Sequence, residues 1–156
     1  MDNGTAPLAR FARTVRSDGW TNLFPALEEL CQACIGHKLF SVSEFRLTGP
    51  ESGVAARIYT SDSRNYPLSG LKEIVPNRWT GRVIREREVF VANSVEGFSD
   101  VFPDHEMIAA LGLGSVINLP WCWAESSSER STCFTPRDIT STTASPSSTN
   151  WRCLPC

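Results

Sequence analysis

W-T-G-R-V-I-R-E-R-E-V-F-V-A-N (residues 79–93), S-V-E-G-F-S-D-V-F-P-D-H-E-M-I-A-A-L (94–111) and G-L-G-S-V-I-N-L-P (112–120) run consecutively through the middle of the chain. Val83/Ile84, Val89/Phe90/Val91, Ile108/Leu111 and Val116/Ile117/Leu119 form four apolar clusters, separated by Gly, Asn and Asp breaks. That spacing predicts helix, strand, loop, helix, strand, with Gly81 near the opening helix and Gly112 and Gly114 closing the second. Each cluster needs a partner to bury against, so the run is a fragment of a larger sheet-and-helix core.

Upstream, residues 21–35 carry Leu23, Phe24, Leu27, Leu30, Cys31, Cys34 and Ile35 at intervals of three and four, the pattern of a helix with one buried face. Gly36 stops it. Residues 38–47 alternate with period two, which places Phe40, Val42 and Glu44 on one side and Leu39, Phe45 and Leu47 on the other. The turn chemistry of T-G-P-E-S-G (48–53) and a second strand over 54–60 complete an antiparallel hairpin. Residues 61–77 read as a long loop anchored by a few apolar side chains, and 94–103 as another that holds Phe98 and Phe102. Before all of this, residues 1–20 form an extension in which Arg10, Arg13 and Arg16 recur three apart beside Leu8, Phe11 and Val15. It is a basic amphipathic helix suited to a homodimer contact.

The chain has 156 residues, 41% hydrophobic and 21% charged, which is one domain of ordinary globular composition. A formal charge of −2 supplies no electrostatic footprint for a phosphate backbone, so nucleic acid is not an expected partner. The absence of an apolar run of about 18 residues argues against a membrane span. With Asp2 and no apolar h-region at the N-terminus, the expected compartment is the cytoplasm, where the six Cys are reduced. Cys31 and Cys34 form a C-x-x-C, but they fall in the last turns of a helix, where the dipole disfavours a thiolate; they read as small hydrophobes. Pairing them with Cys153 and Cys156 as a zinc site demands two halves at opposite ends of the chain. His37 and His105 stand alone. No catalytic or metal-ligating set is expected.

The order of elements over residues 21–120, together with Gly81 and the S-V-I-N-L-P close at 115–120, resembles the GAF domain, a small-ligand sensor module. The resemblance implies an α/β (α+β) fold with an antiparallel sheet and flanking helices. It also implies a non-catalytic sensory or regulatory function in signal transduction or transcription, and a small-molecule ligand held between the sheet and the two loop-helix connections. The ligand-binding positions it implies are Trp79, Arg82, Asn93, Phe98 and Phe102; Tyr59, on the second strand, is a further candidate. Glu88-Val89 and Asn93 depart from the usual Pro-Val and Asp of the family. A chromophore-attaching Cys and the cyclic-nucleotide signature are both missing, so tetrapyrrole and cyclic nucleotide lose support and the cofactor is unknown. A GAF-fold methionine sulfoxide reductase needs reactive Cys beside the pocket, and none lies between Gly36 and Pro120.

At Pro120 the composition breaks. Residues 1–120 hold 16 Ser plus Thr and ten Val; residues 121–156 hold 14 Ser plus Thr and no Val. The expectation is therefore an incomplete GAF-like domain over 21–120, lacking its C-terminal strands and closing helix, with an irregular tail over 121–156. The genetic code supplies an explanation. Taking the last base of each codon with the first two of the next, Trp121-Cys122-Trp123-Ala124 yields Val-Leu-Gly whatever the synonymous codons. Plausible codons through Thr140 allow V-V-L-G-G-I-V-V-G-T-L-D-L-L-H-A-A-G-Y-Y. A frameshifted, non-native terminus, and with it a non-functional remnant, is the alternative reading of the chain.

Overall fold

The computed structural model describes residues 5–68, 70–125 and 128–137. Its elements in order are α1 (Thr5–Asp18), a 3-10 turn (Gly19–Asn22), α2 (Leu23–Cys34), β1 (Leu39–Gly49), β2 (Ser52–Thr60), β3 (Leu71–Ile74), α3 (Arg78–Thr80) running into a π-turn (Gly81–Arg85), β4 (Phe90–Ala92), α4 (His105–Ala110), β5 (Val116–Glu125) and β6 (Ser128–Arg137). One six-stranded sheet has the order β3-β2-β1-β6-β5-β4, and its neighbouring strands all pair antiparallel. The α+β class with an antiparallel sheet and flanking helices is thus the architecture.

Period-two alternation in β1 divides the core as the sequence predicts. Phe40 and Val42, with no exposed surface, face α2, where Phe24, Leu27 and Cys31 pack with Tyr59, Leu119 and Trp121. Leu39, Phe45 and Leu47 join the opposite and larger cluster, built with Ile74, Val83, Ile84, Phe90, Phe98, Ile108 and Val116. The β1–β2 hairpin turns tightly between Gly49 and Ser52. Its Gly53 has φ +147°, and a Cβ there meets the Arg46 carbonyl oxygen at 2.2 Å, so only glycine fits. Helix α2 ends before Gly36, whose φ of +68° is left-handed. Cys31 is half-buried but Cys34 is exposed, which corrects the expectation that both share the buried stripe.

A second correction concerns the C-terminal strands. The sequence reading expects them to be missing and residues 121–156 to be irregular. Instead β5 continues through residue 125, and β6 occupies the middle of the sheet, paired with β1 from Leu39↔Arg137 to Phe45↔Ser131 and with β5 from Leu119↔Phe134 to Glu125↔Ser128. The cause is a backbone requirement rather than an apolar pattern. Without β6, the facing edges of β1 and β5 present two rows of unpaired N–H and C=O groups beside a dry core. Any extended segment within reach satisfies them, and S-T-C-F-T (131–135) holds enough β-branched and aromatic character to do so. The expected lack of a closing helix concerns residues 138–156, which lie outside the described residues. The edge strand β3 goes unpredicted because Leu71 and Ile74 lie three apart in a short segment whose remaining residues are exposed.

Candidate functional site

The larger face of the sheet is roofed by the two connections, 61–77 and 93–104, and by α3. Asn77 fixes the roof. Its Oδ1 accepts from the backbone N–H of Trp79 (2.9 Å) and Thr80 (3.0 Å), while its own N–H donates to Thr80 Oγ1 (2.8 Å), a reciprocal capping box. Asn77 Nδ2 also donates to the Val101 carbonyl at 3.3 Å, which ties the two connections together. Asn77→Ala is expected to cost about 1 kcal/mol in urea unfolding, the usual weight of a side-chain N-cap; a loss below a few tenths contradicts the capping role.

The cap aims Trp79 down onto the sheet. Its indole ring stands edge-on to Phe45 (centroids 5.9 Å, 76°) and Phe102 (5.8 Å, 63°), and Phe102 in turn meets Phe98 at 5.8 Å and Phe90 at 6.3 Å. At the base of this aromatic wall, Trp79 Nε1–H donates to Asn118 Oδ1 at 2.9 Å, and Asn118 is 1% exposed. Trp79 and Phe102 are half-buried, whereas Phe98 is wholly buried.

Two polar clusters start from α3. Thr80 Oγ1 lies 3.0 Å from Glu51 Oε2, and Arg85 closes on Glu51 as an ion pair. Arg78 forks onto Asp100 through Nε (2.6 Å) and an Nη (2.7 Å), donates to the Gly97 carbonyl (2.6 Å) and lies 5.2 Å from the Phe90 ring centroid. The Arg78 guanidinium holds the Asp100 carboxyl below its ordinary range.

Of the six positions singled out in the sequence, the structure brings three together: Trp79, Phe98 and Phe102. Arg82 is exposed; its Nε donates to the Val89 carbonyl (2.7 Å) and its head lies 3.4 Å from Glu88. Asn93 is exposed beyond the end of β4. Tyr59 needs a correction, because it lies across the sheet from Trp79, Phe98 and Phe102. There it packs on Phe24 (5.8 Å) and Phe40 (6.0 Å), and its hydroxyl donates to Glu28 Oε2 at 2.6 Å. Burial, then the Glu28 bond, pushes the phenol well above its ordinary value. Strand alternation alone does not say which face a side chain takes when both faces are covered. Tyr59→Phe is expected to lose about 1 kcal/mol in denaturant unfolding, below the ~1.5–3 of a fully buried charged hydrogen bond because the pair is partly hydrated.

Asn118, Glu51 and Asn77 were not singled out from the sequence. A usable signal existed for Asn118: it stands two residues from Val116, on the same buried side of an apolar strand. Among the described residues no group of three His, Cys, Asp or Glu is arranged to hold a metal ion, and Cys153 and Cys156 lie outside them. No helix among them is long and apolar enough to cross a membrane.

No protein-family model matches the chain, and no curated protein matches it. Among solved structures it is similar to hypothetical protein SA1058 from S. aureus, at 17% identity and a TM-score of 0.39, covering 66% of this chain and 83% of that one. It is also similar to a mutated NreA protein, altered in its nitrate binding site, from Staphylococcus aureus. One structure of that protein is 16% identical with a TM-score of 0.47, covering 80% and 88% of the two chains. A second is 16% identical with a TM-score of 0.41, covering 75% and 86%.

Proposed function

We propose that this chain is a GAF-like sensory domain that binds a small molecule and has no catalytic role of its own. The observation that carries the reading is the half-buried aromatic wall of Trp79 and Phe102 with the buried Asn118 amide at its base. Apolar walls with a few fixed polar groups are the general construction of small-ligand sites. Such a site takes a molecule with a flat apolar body and one hydrogen-bonding group, and the capped connections 77–80 and 97–104 pass its presence to the surface. The output is regulatory, in signal transduction, with α1 as a homodimer contact. A thiol-based reductase finds less support. Burial, followed by the neighbouring Cys34 and Glu28, pushes the Cys31 thiol up to about 11, and Cys31 lies on the opposite face from Trp79.

The test is a thermal-shift screen of small aromatic acids, amides and inorganic anions, repeated on Trp79→Phe. A saturable rise in midpoint that the variant loses supports the reading; no rise with any compound, or a rise that Trp79→Phe retains in full, overturns it.

One observation favours a second reading, a remnant whose terminus is translated out of frame. Pro136 sits in an interior strand, in register with Phe40 of β1. Proline brings no N–H to a ladder and belongs at sheet edges. The β5–β6 pairing passes from Val116↔Arg137 directly to Leu119↔Phe134, omitting the positions opposite Thr135 and Pro136. One DNA read across the Pro120 codon tests this: codons incompatible with Val-rich strands in the shifted frame refute it.

A further inference from the structure

On the far side of the molecule from Trp79, helices α1 and α2 enclose a groove of about 420 Å³, within the roughly 300–1,000 Å³ of small-ligand clefts. Its floor is apolar, with Phe11 and Leu30 half-buried and Ala33 exposed, and Arg10, Arg13 and Glu29 project along its walls. Arg10 and Arg13 are one helical turn apart on α1, so both heads serve the same stretch of groove. Among the described residues neither takes part in an ion pair, whereas Arg46, Arg78, Arg82 and Arg85 each do. Helix α1 itself has no buried residue.

We propose that this groove binds an amphipathic monoanion, a carboxylate carried on a short alkyl or aryl body. The apolar floor takes the body. The two guanidinium groups present planar forks that match a carboxylate's two oxygens. Glu29 decides the charge: with two Arg and one Glu the walls carry a net single positive charge, which neutralises one negative charge and leaves a phosphate dianion only half neutralised. The site is separate from the Trp79 wall and does not depend on it.

Octanoate, titrated below its micellar concentration into the full chain by calorimetry, is expected to bind saturably, with octan-1-ol at least tenfold weaker. Arg10→Ala/Arg13→Ala, two exposed positions whose loss leaves the helical circular dichroism intact, is expected to weaken octanoate at least tenfold. Glu29→Gln is expected to tighten it about threefold. Trp79→Phe is expected to leave it unchanged, which keeps failure here distinct from failure at the other site. Non-saturable binding, equal binding by the double variant, or loss on Trp79→Phe overturns the proposal. So does a sedimenting dimer that Ala33→Trp dissociates and octanoate does not, since the groove then belongs to a second copy of the chain.

Discussion

Exchanging residues 122–140, so that Trp121 is kept, for the shifted-frame sequence V-L-G-G-I-V-V-G-T-L-D-L-L-H-A-A-G-Y-Y is expected to raise the thermal midpoint by about 10 °C. The gain comes from the slot that β6 occupies. Ser131 is in register with Phe45, a residue 3% exposed in the larger core cluster, and Cys133 is in register with Pro120 and Ser43. The exchange introduces Ser131→Leu, Cys133→Leu and Pro136→Ala. Burying one large aliphatic side chain contributes about 2 kcal/mol, and enlarging a Cys to Leu about 1. Restoring an N–H opposite a strand that offers carbonyls adds about 1 more. At 2–4 °C per kcal/mol for a chain of this size, about 4 kcal/mol gives the stated shift. Calorimetry of the two chains side by side measures it. An unchanged or lower midpoint means that the present β6 already suits its place, and the out-of-frame reading then loses its physical motive.

The same strand shows where sequence reasoning stops. Helix α2, the β1–β2 hairpin and the two faces of β1 were legible because their side chains carry the signal: Phe40 and Val42 against Leu39, Phe45 and Leu47, at period two. Strand β6 was not legible, because what recruits it is the backbone of β1 and β5, and hydrogen-bonding groups of the main chain leave no trace in composition. The candidate site divides in the same way. The resemblance to the GAF domain points to Trp79, Phe98 and Phe102, and as aromatics in connections beside a sheet they come together because they bury against it. Asn77 and Glu51 were passed over, since a capping or bridging residue has the same identity in any turn. The side that Tyr59 takes is not legible, because with helices on one face and roofed connections on the other, every position of β2 has a covered side.

Phe98→Ala is expected to cost about 3–5 kcal/mol, the range for emptying a fully buried aromatic site. Phe98 sits in a loop yet has no exposed surface, and its ring meets Phe102 at 5.8 Å. The backbone around it is already committed: Phe98 C=O accepts from the N–H of both Val101 (3.1 Å) and Phe102 (3.0 Å), so the turn resists collapsing into the space. Against a typical margin of about 5–15 kcal/mol, a loss of this size removes a large share of the stability, and urea unfolding reads it directly. Phe98→Leu keeps most of the volume and is expected to stay within about 1.5 kcal/mol. The pair also bears on function. Phe102 is half of the wall offered to a ligand, and Phe98 is the ring behind it. If the wall is the binding surface, Phe98→Leu keeps the fold while loosening Phe102, and a ligand found in the thermal-shift screen binds it more weakly than it binds the parent chain. If Phe98→Ala costs less than about 1 kcal/mol, the connection 94–104 is not packed as a core element, and the wall loses the rigid backing on which its role as a site depends.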